Sequence, residues 1–234
     1  MSLKFEHISK NYNGVDIYSD FSIAFEEGVI SCILGPSGCG KTTLLNMIGG
    51  IVKPDEGDFE GFAGKRFSYV FQDTRLLPWK TVEDNIAFVL DREMPLTQRK
   101  EITDRFMRLV ELQDYAKYYP SQLSGGMCQR VSIARAFAMP SDVILMDEPF
   151  SGLDVSLKKN IIERFSEIWQ ADRRTVIYVT HDVDEALMLC GDIFVFSKSP
   201  VKMMLHQKID NPSVGRDISN PYFKELKERI LTLI

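Results

Sequence analysis

No apolar run in this chain reaches the roughly 18 residues that a bilayer crossing needs. The opening residues MSLKFEHISK also lack the apolar centre of a signal peptide. Both absences lead to the expectation of a soluble chain that works in the cytosol. Cysteine is scarce, and Cys32, Cys39, Cys128 and Cys190 show neither metal-ligand spacing nor a paired framework, which suits a reducing compartment and gives no sign of zinc. Positive charge is short as well. The formal charge is −5, and Lys and Arg are scattered, which argues against a nucleic-acid groove built to neutralise phosphates. The adjacent pairs Lys158/Lys159 and Arg173/Arg174 read as solvated faces. There is no repeat, low-complexity tract or long Pro/Gly/Ser linker. A chain of 234 residues with 44% hydrophobic content therefore makes one α/β domain, with any extra lobe inserted into it.

What the chain does have is GPSGCGKT at 35–42, set between the apolar run Val29 to Leu34 and the helix-favouring stretch Thr43 to Ile48. That is a strand, a glycine loop and a helix start. Gly35, Gly38 and Gly40 leave room for backbone N–H groups to close around phosphate oxygens, while the helix N-terminus and Lys41 supply positive potential. Thr42 offers a hydroxyl to a magnesium ion. A glycine turn can match such a pattern by accident, but the full GxxxxGK[ST] between a strand and a helix points to a bound nucleoside triphosphate. Lys41 and the helix start would also favour thiolate at Cys39, making it more reactive than an apolar buried cysteine such as Cys32.

The surrounding segments predict where these residues sit. Leu3 to Ile8, Phe21 to Phe25 and Phe67 to Phe71 read as strands of an antiparallel layer. Between Pro78 and Pro140 the pattern turns helical, with Ile102, Phe106, Leu109 and Val110 on one face. After Pro140 come buried-type strands, Val143 to Met146, Val176 to Val179 and Ile193 to Phe196, with a helix carrying Leu157, Ile161, Phe165 and Ile168 between the first two. Such alternation predicts a parallel sheet.

VILMDEP at 143–149 puts two carboxylates at the end of a buried strand, the edge where ligands gather in such sheets. Asp147 would hold magnesium and Glu148 would take a proton from an attacking water. A solvated acidic pair at a strand end is the plain alternative, and the phosphate loop weighs against it. His181 follows Thr175 to Thr180 at the same edge, where an imidazole could contact a γ-phosphate, although a lone His is more often structural. Gln72 could reach the metal or the water, yet taken singly a polar residue at a strand end needs no such role. Tyr12 could stack on adenine or be core, and spacing does not separate the two. LSGGM at 123–127 opens a helix reaching about Met139, and its N-terminus is a second anion site. At about 1.5 Å per residue that helix spans roughly 20 Å, which points the second site at a nucleotide on another molecule and so to a two-fold dimer.

Taken together, the chain resembles the nucleotide-binding subunits of ATP-binding cassette transporters over essentially its whole length. GPSGCGKT looks like the Walker A motif, Gln72 in VFQD the Q-loop, LSGGM with Gln129 and Arg130 the signature, VILMDEP the Walker B motif, SGLD the D-loop and His181 the switch histidine. The resemblance implies a phosphate-loop α/β core with a mainly parallel sheet and an N-terminal antiparallel layer, about 1–75 and 140–234, and an inserted helical lobe, about 76–139. It implies ATP and Mg²⁺ as cofactors, with Lys41, Gln72, Glu148 and His181 in catalysis and Thr42, Gln72 and Asp147 at the metal. The nucleotide set it implies is Tyr12, Gly35, Pro36, Ser37, Gly38, Cys39, Gly40, Lys41, Thr42 and Thr43. Ser124, Gly125, Gly126 and Asp154 are implied at the nucleotide of a second copy, Asp154 coupling the two sites.

The segment QDTRLLPWKTVEDNI, with LSGGM where many relatives have LSGGQ, is most similar to ATPases of nitrate/sulfonate/taurine-type importers. That resemblance implies a membrane permease as partner, a solute-binding protein acting indirectly, no nucleic acid, and a place at the cytoplasmic face of the membrane. Trp79 in that segment is a candidate permease anchor or a residue packed under the lobe. An exporter or lipid-extraction ATPase, or a soluble non-transport cassette ATPase, would carry the same motifs and stays open. Two departures stand out: residues 57–70 are shorter than in most relatives, leaving the strand count open, and Cys128 stands where a basic or amide side chain is commoner. The segment PYFKELKERILTLI reads as a last helix, with no extra regulatory domain expected.

Overall fold

The computed structural model describes residues 2–210 and 213–234. β1 (Ser2–Tyr12) and β2 (Val15–Glu26) form an antiparallel hairpin. Its turn residues Asn13 and Gly14 have φ of 52° and 86°, the backbone a two-residue primed turn demands and Asn and Gly adopt most readily. β3 (Ile30–Leu34) leads through the glycine loop into α1 (Lys41–Ile48), followed by β4 (Glu56–Glu60) and β5 (Phe67–Val70). Three helices come next, α2 (Val82–Ala87), α3 (Leu96–Leu109) and α4 (Gly125–Ala138), the last two separated by 3-10 turns at Gln113–Tyr115 and Pro120–Gln122. The chain then alternates through β6 (Val143–Asp147), α5 (Val155–Ala171), β7 (Thr175–Val179), α6 (Val183–Leu189), β8 (Asp192–Phe196), β9 (Met203–Lys208) and α7 (Pro221–Leu233).

Two sheets result. One is antiparallel, in the order β2-β1-β4; the other runs β5-β6-β7-β3-β8-β9 and is parallel except for β9. The central strands β3, β6, β7 and β8 are buried at all five positions, as expected of parallel strands covered on both faces. Their side chains alternate between two cores. Ile144, Met146, Val176, Tyr178, Ile193 and Val195 face the helices α4 to α7. Val143, Leu145, Ile177, Val179, Phe194 and Phe196 face α1 and the antiparallel sheet. The helical periodicity read between Pro78 and Pro140 holds: Phe106, Leu109 and Val110 are buried, with Ile102 packed against them.

One strand assignment is corrected. Phe67 to Phe71 does not join the antiparallel layer; β5 pairs in parallel with β6, Phe67 opposite Val143 and Val70 opposite Met146. A four-residue edge strand rich in aromatics reads the same in either sheet, and the partner alone decides. The third antiparallel strand is instead β4, EGDFE, exposed at every position. Its one apolar residue, Phe59, sets no alternating pattern; the strand is tied to β1 by backbone pairing, by the Phe59 ring edge-on to Phe5 at 4.5 Å between centroids, and by the ion pair of Lys4 with Glu60 at 2.8 Å. The parallel topology brings the loop after β3, Gln72 after β5, Asp147 and Glu148 at the end of β6, and His181 after β7 to one sheet edge.

Candidate functional site

Gly35, Pro36, Ser37, Gly38 and Cys39 form the turn that carries β3 into α1. Gly40, at the helix cap, has φ 116°, and a Cβ there would stand 2.5 Å from Ile17 Cγ2, so only glycine fits. The Tyr18 hydroxyl donates to the Gly40 carbonyl at 2.9 Å and fixes the turn from below. No side chain caps α1, and its first-turn amides, those of Lys41, Thr42 and Thr43, have no intrahelical acceptor. Those donors, aligned with the helix dipole, suit a phosphate. The Lys41 ammonium is 6% exposed and donates to the Gly35 carbonyl at 2.7 Å and the Pro36 carbonyl at 2.9 Å, so the cation is stored within the loop itself.

The reading of Cys39 as a reactive thiolate is corrected. The side chain is 2% exposed and packs in the core beneath the loop. Burial pushes its thiol up, and the opposing pull of Lys41 and of backbone donors does not offset it. Its backbone, by contrast, belongs to the turn, with the Cys39 amide donating to Pro36 O at 3.3 Å.

Asp147 closes β6 and is 3% exposed. Burial raises its pKa; the Thr42 hydroxyl, donating to the carboxylate, works the other way, Glu148 adds to the rise, and Lys41 opposes it. A buried carboxylate and a hydroxyl in contact, with a second carboxylate adjacent, form an oxygen donor set of the kind a hard divalent cation takes. Glu148 has φ 47°, a left-handed backbone that costs about 1–2 kcal/mol for a residue with a Cβ. It is held there because its amide donates to Val179 O at 2.9 Å and its carbonyl accepts from Ser151 N at 3.1 Å. His181 Nδ1 lies 3.2 Å from Glu148 Oε1. With Nδ1–H given to the carboxylate, Nε2 can donate to an anion only as the imidazolium.

Gln72 is exposed two residues past the Val70–Met146 pair, level with Glu148 at the sheet edge. Tyr12 is 43% exposed at the end of β1, which removes the core alternative, and the Lys10 ammonium lies 5.2 Å from its ring centre. Trp79 is 71% exposed, so it does not pack under the lobe. Ser124 caps α4, its hydroxyl accepting from Met127 N at 3.3 Å, with Gly125 exposed beside it. At Gly126 a Cβ would stand 3.3 Å from Gly152 O, so the LSGGM turn and the SGLD loop share one surface. Asp154 caps α5 by accepting from Leu157 N at 2.9 Å. Gln129 is buried, and Arg130 donates to the carbonyls of Val110 and Glu111, which ties α4 to the end of α3.

Four supporting groups escaped the sequence reading. Asn85, fully buried, accepts from Leu77 N at 2.8 Å and donates to the carbonyls of Leu77, Lys80 and Thr81, which sets the shape of the loop bearing Trp79. Arg135 of α4 donates to Thr74 O and Arg75 O, both at 3.0 Å, tying the stretch after Gln72 to the helix that begins at the LSGGM turn. The pairs read as solvated faces are corrected in one member each: Lys159 and Arg173 are exposed as expected, but Lys158 and Arg174 are not. Arg174 lies inward and donates to the carbonyls of Phe137 and Met139 at the end of α4, and Lys158 is bound to Asp182 and Glu185. The only available cue was Asp182 three residues before Glu185, the spacing of a helix start.

A glycine loop at a helix start, acidic groups at the next strand end and a mixed sheet with an inserted helical stretch define a phosphate-loop nucleotide-binding protein. The family model described as ABC transporter matches residues 18–151. The aliphatic sulfonates import ATP-binding protein of Bacillus cereus is 36% identical over 97% of this chain and 91% of its own length. The taurine import ATP-binding protein of Escherichia coli is 35% identical over 99% of this chain and 96% of its own. Among solved structures, a dimeric ATP-binding cassette in a post-hydrolysis state with ADP and Pi is similar at a TM-score of 0.78 and 28% identity, covering 89% of this chain and 99% of that one. The chain belongs to the ABC transporter family.

Proposed function

We propose that this chain is the ATP-binding and ATP-hydrolysing subunit that energises an ABC importer of the sulfonate/taurine type. The observation that carries the reading is the pairing of Thr42 with Asp147 beside the pairing of Glu148 with His181, on one sheet edge behind the phosphate loop. Similarity to import ATP-binding proteins over nearly the whole chain supports the importer class. The whole of residues 1–234 acts as one cassette domain, the helical stretch about 76–139 serving as its lobe.

In this reading the backbone N–H groups of the loop and helix start between Gly35 and Thr43, Pro36 having none, hold the phosphates of ATP, and Lys41 exchanges the Gly35 and Pro36 carbonyls for phosphate oxygens. Thr42, Asp147 and Gln72 would hold Mg²⁺, which when bound supplies neutralisation of phosphate charge. Tyr12 stacks on the adenine. Glu148 accepts a proton from the water whose oxygen attacks the γ-phosphorus as the bond to the β,γ-bridging oxygen breaks and ADP leaves. His181 orients on Glu148 and gives its other ring nitrogen to the γ-phosphate. Ser124, Gly125, Gly126 and Asp154 meet the nucleotide of a second copy in a two-fold dimer, a reading supported by the dimeric neighbour. Trp79 docks the permease at the cytoplasmic face of the membrane, and a solute-binding protein acts through that permease. In this reading the permease supplies the membrane span; no described helix of this chain is long and apolar enough to cross a membrane.

Reconstitution tests it. The chain with its permease in vesicles should hydrolyse ATP and take up taurine or an alkanesulfonate in the presence of the solute-binding protein. Hydrolysis without uptake of either, or net outward transport, overturns the importer reading.

A further inference from the structure

Lys158 stands on the first turn of α5, four residues past the cap Asp154, and its amide donates to Asp154 O at 2.9 Å. Its side chain is 21% exposed and turns inward, with Nζ 2.8 Å from Asp182 Oδ2 and 2.7 Å from Glu185 Oε1. Asp182 is the residue that follows His181, and the Glu185 carboxylate is bound to Thr180, the residue that precedes it. The Thr180 hydroxyl donates to Glu185 Oε2 at 2.8 Å and accepts from Asp182 N at 3.1 Å. The Tyr178 hydroxyl donates to the same Glu185 oxygen at 2.7 Å. Asp182 Oδ1 accepts from the amides of Asp184 and Glu185 and starts α6.

The imidazole of His181 is itself largely exposed, and its ion-pair partner is Glu148. Where the ring stands is therefore set by the backbone at 180 and 182, and both of those residues are anchored to the Lys158–Glu185 pair. We infer that Lys158 is a positioning residue for hydrolysis, tying the start of α5 to the loop that carries His181 and thereby setting the imidazole against Glu148. The inference rests on the reading of this chain as an ATPase that uses His181. Burial works against the Lys158 ammonium, but hydrogen bonds and attraction from Asp182 and Glu185 more than offset it and hold its pKa above the usual range. Glu185 is 4% exposed, so removing the ammonium leaves a buried carboxylate facing only neutral donors, and the segment must shift or hydrate to relieve it. The same turn of α5 follows Gly152 and Leu153, which lie against Gly126. A displacement at the LSGGM turn thus has a contiguous path through Lys158 to His181.

The test is a double-mutant cycle on the full chain, with steady-state ATP hydrolysis and nucleotide affinity measured for each variant. Lys158→Met should lower kcat about tenfold while nucleotide Kd stays within about twofold, and Lys158→Arg, whose guanidinium can span both carboxylates, should recover most of the loss. In a His181→Ala background Lys158→Met should cost less than about twofold, because the group it positions is gone. Should Lys158→Met not fold, Lys158→Gln carries the same comparison. Equal fractional loss in both backgrounds, or a lower melting temperature with unchanged kcat, overturns the positioning role. An inactive wild type, or full activity in His181→Ala, overturns the reading of the site and this inference with it; an inactive His181→Ala beside a fully active Lys158→Met overturns the inference alone.

Discussion

His181 Nδ1 stands 3.2 Å from Glu148 Oε1, which joins the residue after β6 to the loop after β7 through their side chains. An acceptor at that position survives when carboxylate becomes amide, whereas the capacity to take a proton does not. Glu148→Gln should therefore keep the loop geometry and lower ATP turnover by about 10²–10⁴. Equilibrium binding should show ATP affinity retained, and light scattering should show a dimer trapped by ATP. Wild-type turnover in Glu148→Gln would rule out the proton-acceptor role.

Asp147 is a carboxylate whose pKa is raised by burial above the usual 3.8. The sign follows from its acidic character. Below about pH 3.8 it is protonated folded and unfolded and contributes nothing; as pH rises through the folded value, charging it in the fold costs stability. Asp147→Asn should accordingly raise the melting temperature of the nucleotide-free chain at neutral pH, by a few degrees for each ~1 kcal/mol gained, with the gain vanishing near pH 3.8. Hydrolysis should be lost at the same time. Thermal scans across pH check it, and a melting temperature lowered at pH 7 counts against this account.

Burial divides the thiols of Cys39 and Cys128. Both are pushed up by desolvation, but Cys39 is in the core while Cys128 is half-buried with its Sγ 3.7 Å from Pro120 O. Brief maleimide treatment of the native chain should label Cys128 first, leaving Cys39, Cys32 and Cys190 unmodified until denaturant is added. Peptide mapping with Cys39 labelled first would contradict the burial argument.

Trp79 is presented to solvent on a loop whose shape is set by Asn85. Trp79→Ala should leave the melting temperature of the isolated chain within about 1 °C and weaken assembly with the permease. Asn85→Ala unsatisfies buried backbone groups and should destabilise the chain by about 1–3 kcal/mol. Thermal unfolding and co-purification of both variants separate the roles; a stability loss at Trp79 matching that at Asn85 would assign the indole to packing.

What the sequence determined by itself is whatever physics keeps within a short contiguous run. GPSGCGKT is legible because the glycine at position 40, the helix start and Lys41 all act on one turn, and VILM is legible because a strand buried on both faces is apolar until it ends in the carboxylate of Asp147. The position of Glu148 and His181 at one edge follows as well, since parallel strands end at the same side. Tertiary structure decided what depends on a distant partner. β5 could have entered either sheet until Phe67 met Val143, and β4 carries no alternating apolar pattern because backbone pairing, one ion pair and the single ring of Phe59 against Phe5 hold it to β1. Lys41 and the helix dipole argued for a thiolate at Cys39, and desolvation by residues far along the chain outweighed them. Lys158 read as a surface charge because nothing next to it in sequence reveals the carboxylates of Asp182 and Glu185, which only the packing of α5 on α6 brings within hydrogen-bond distance.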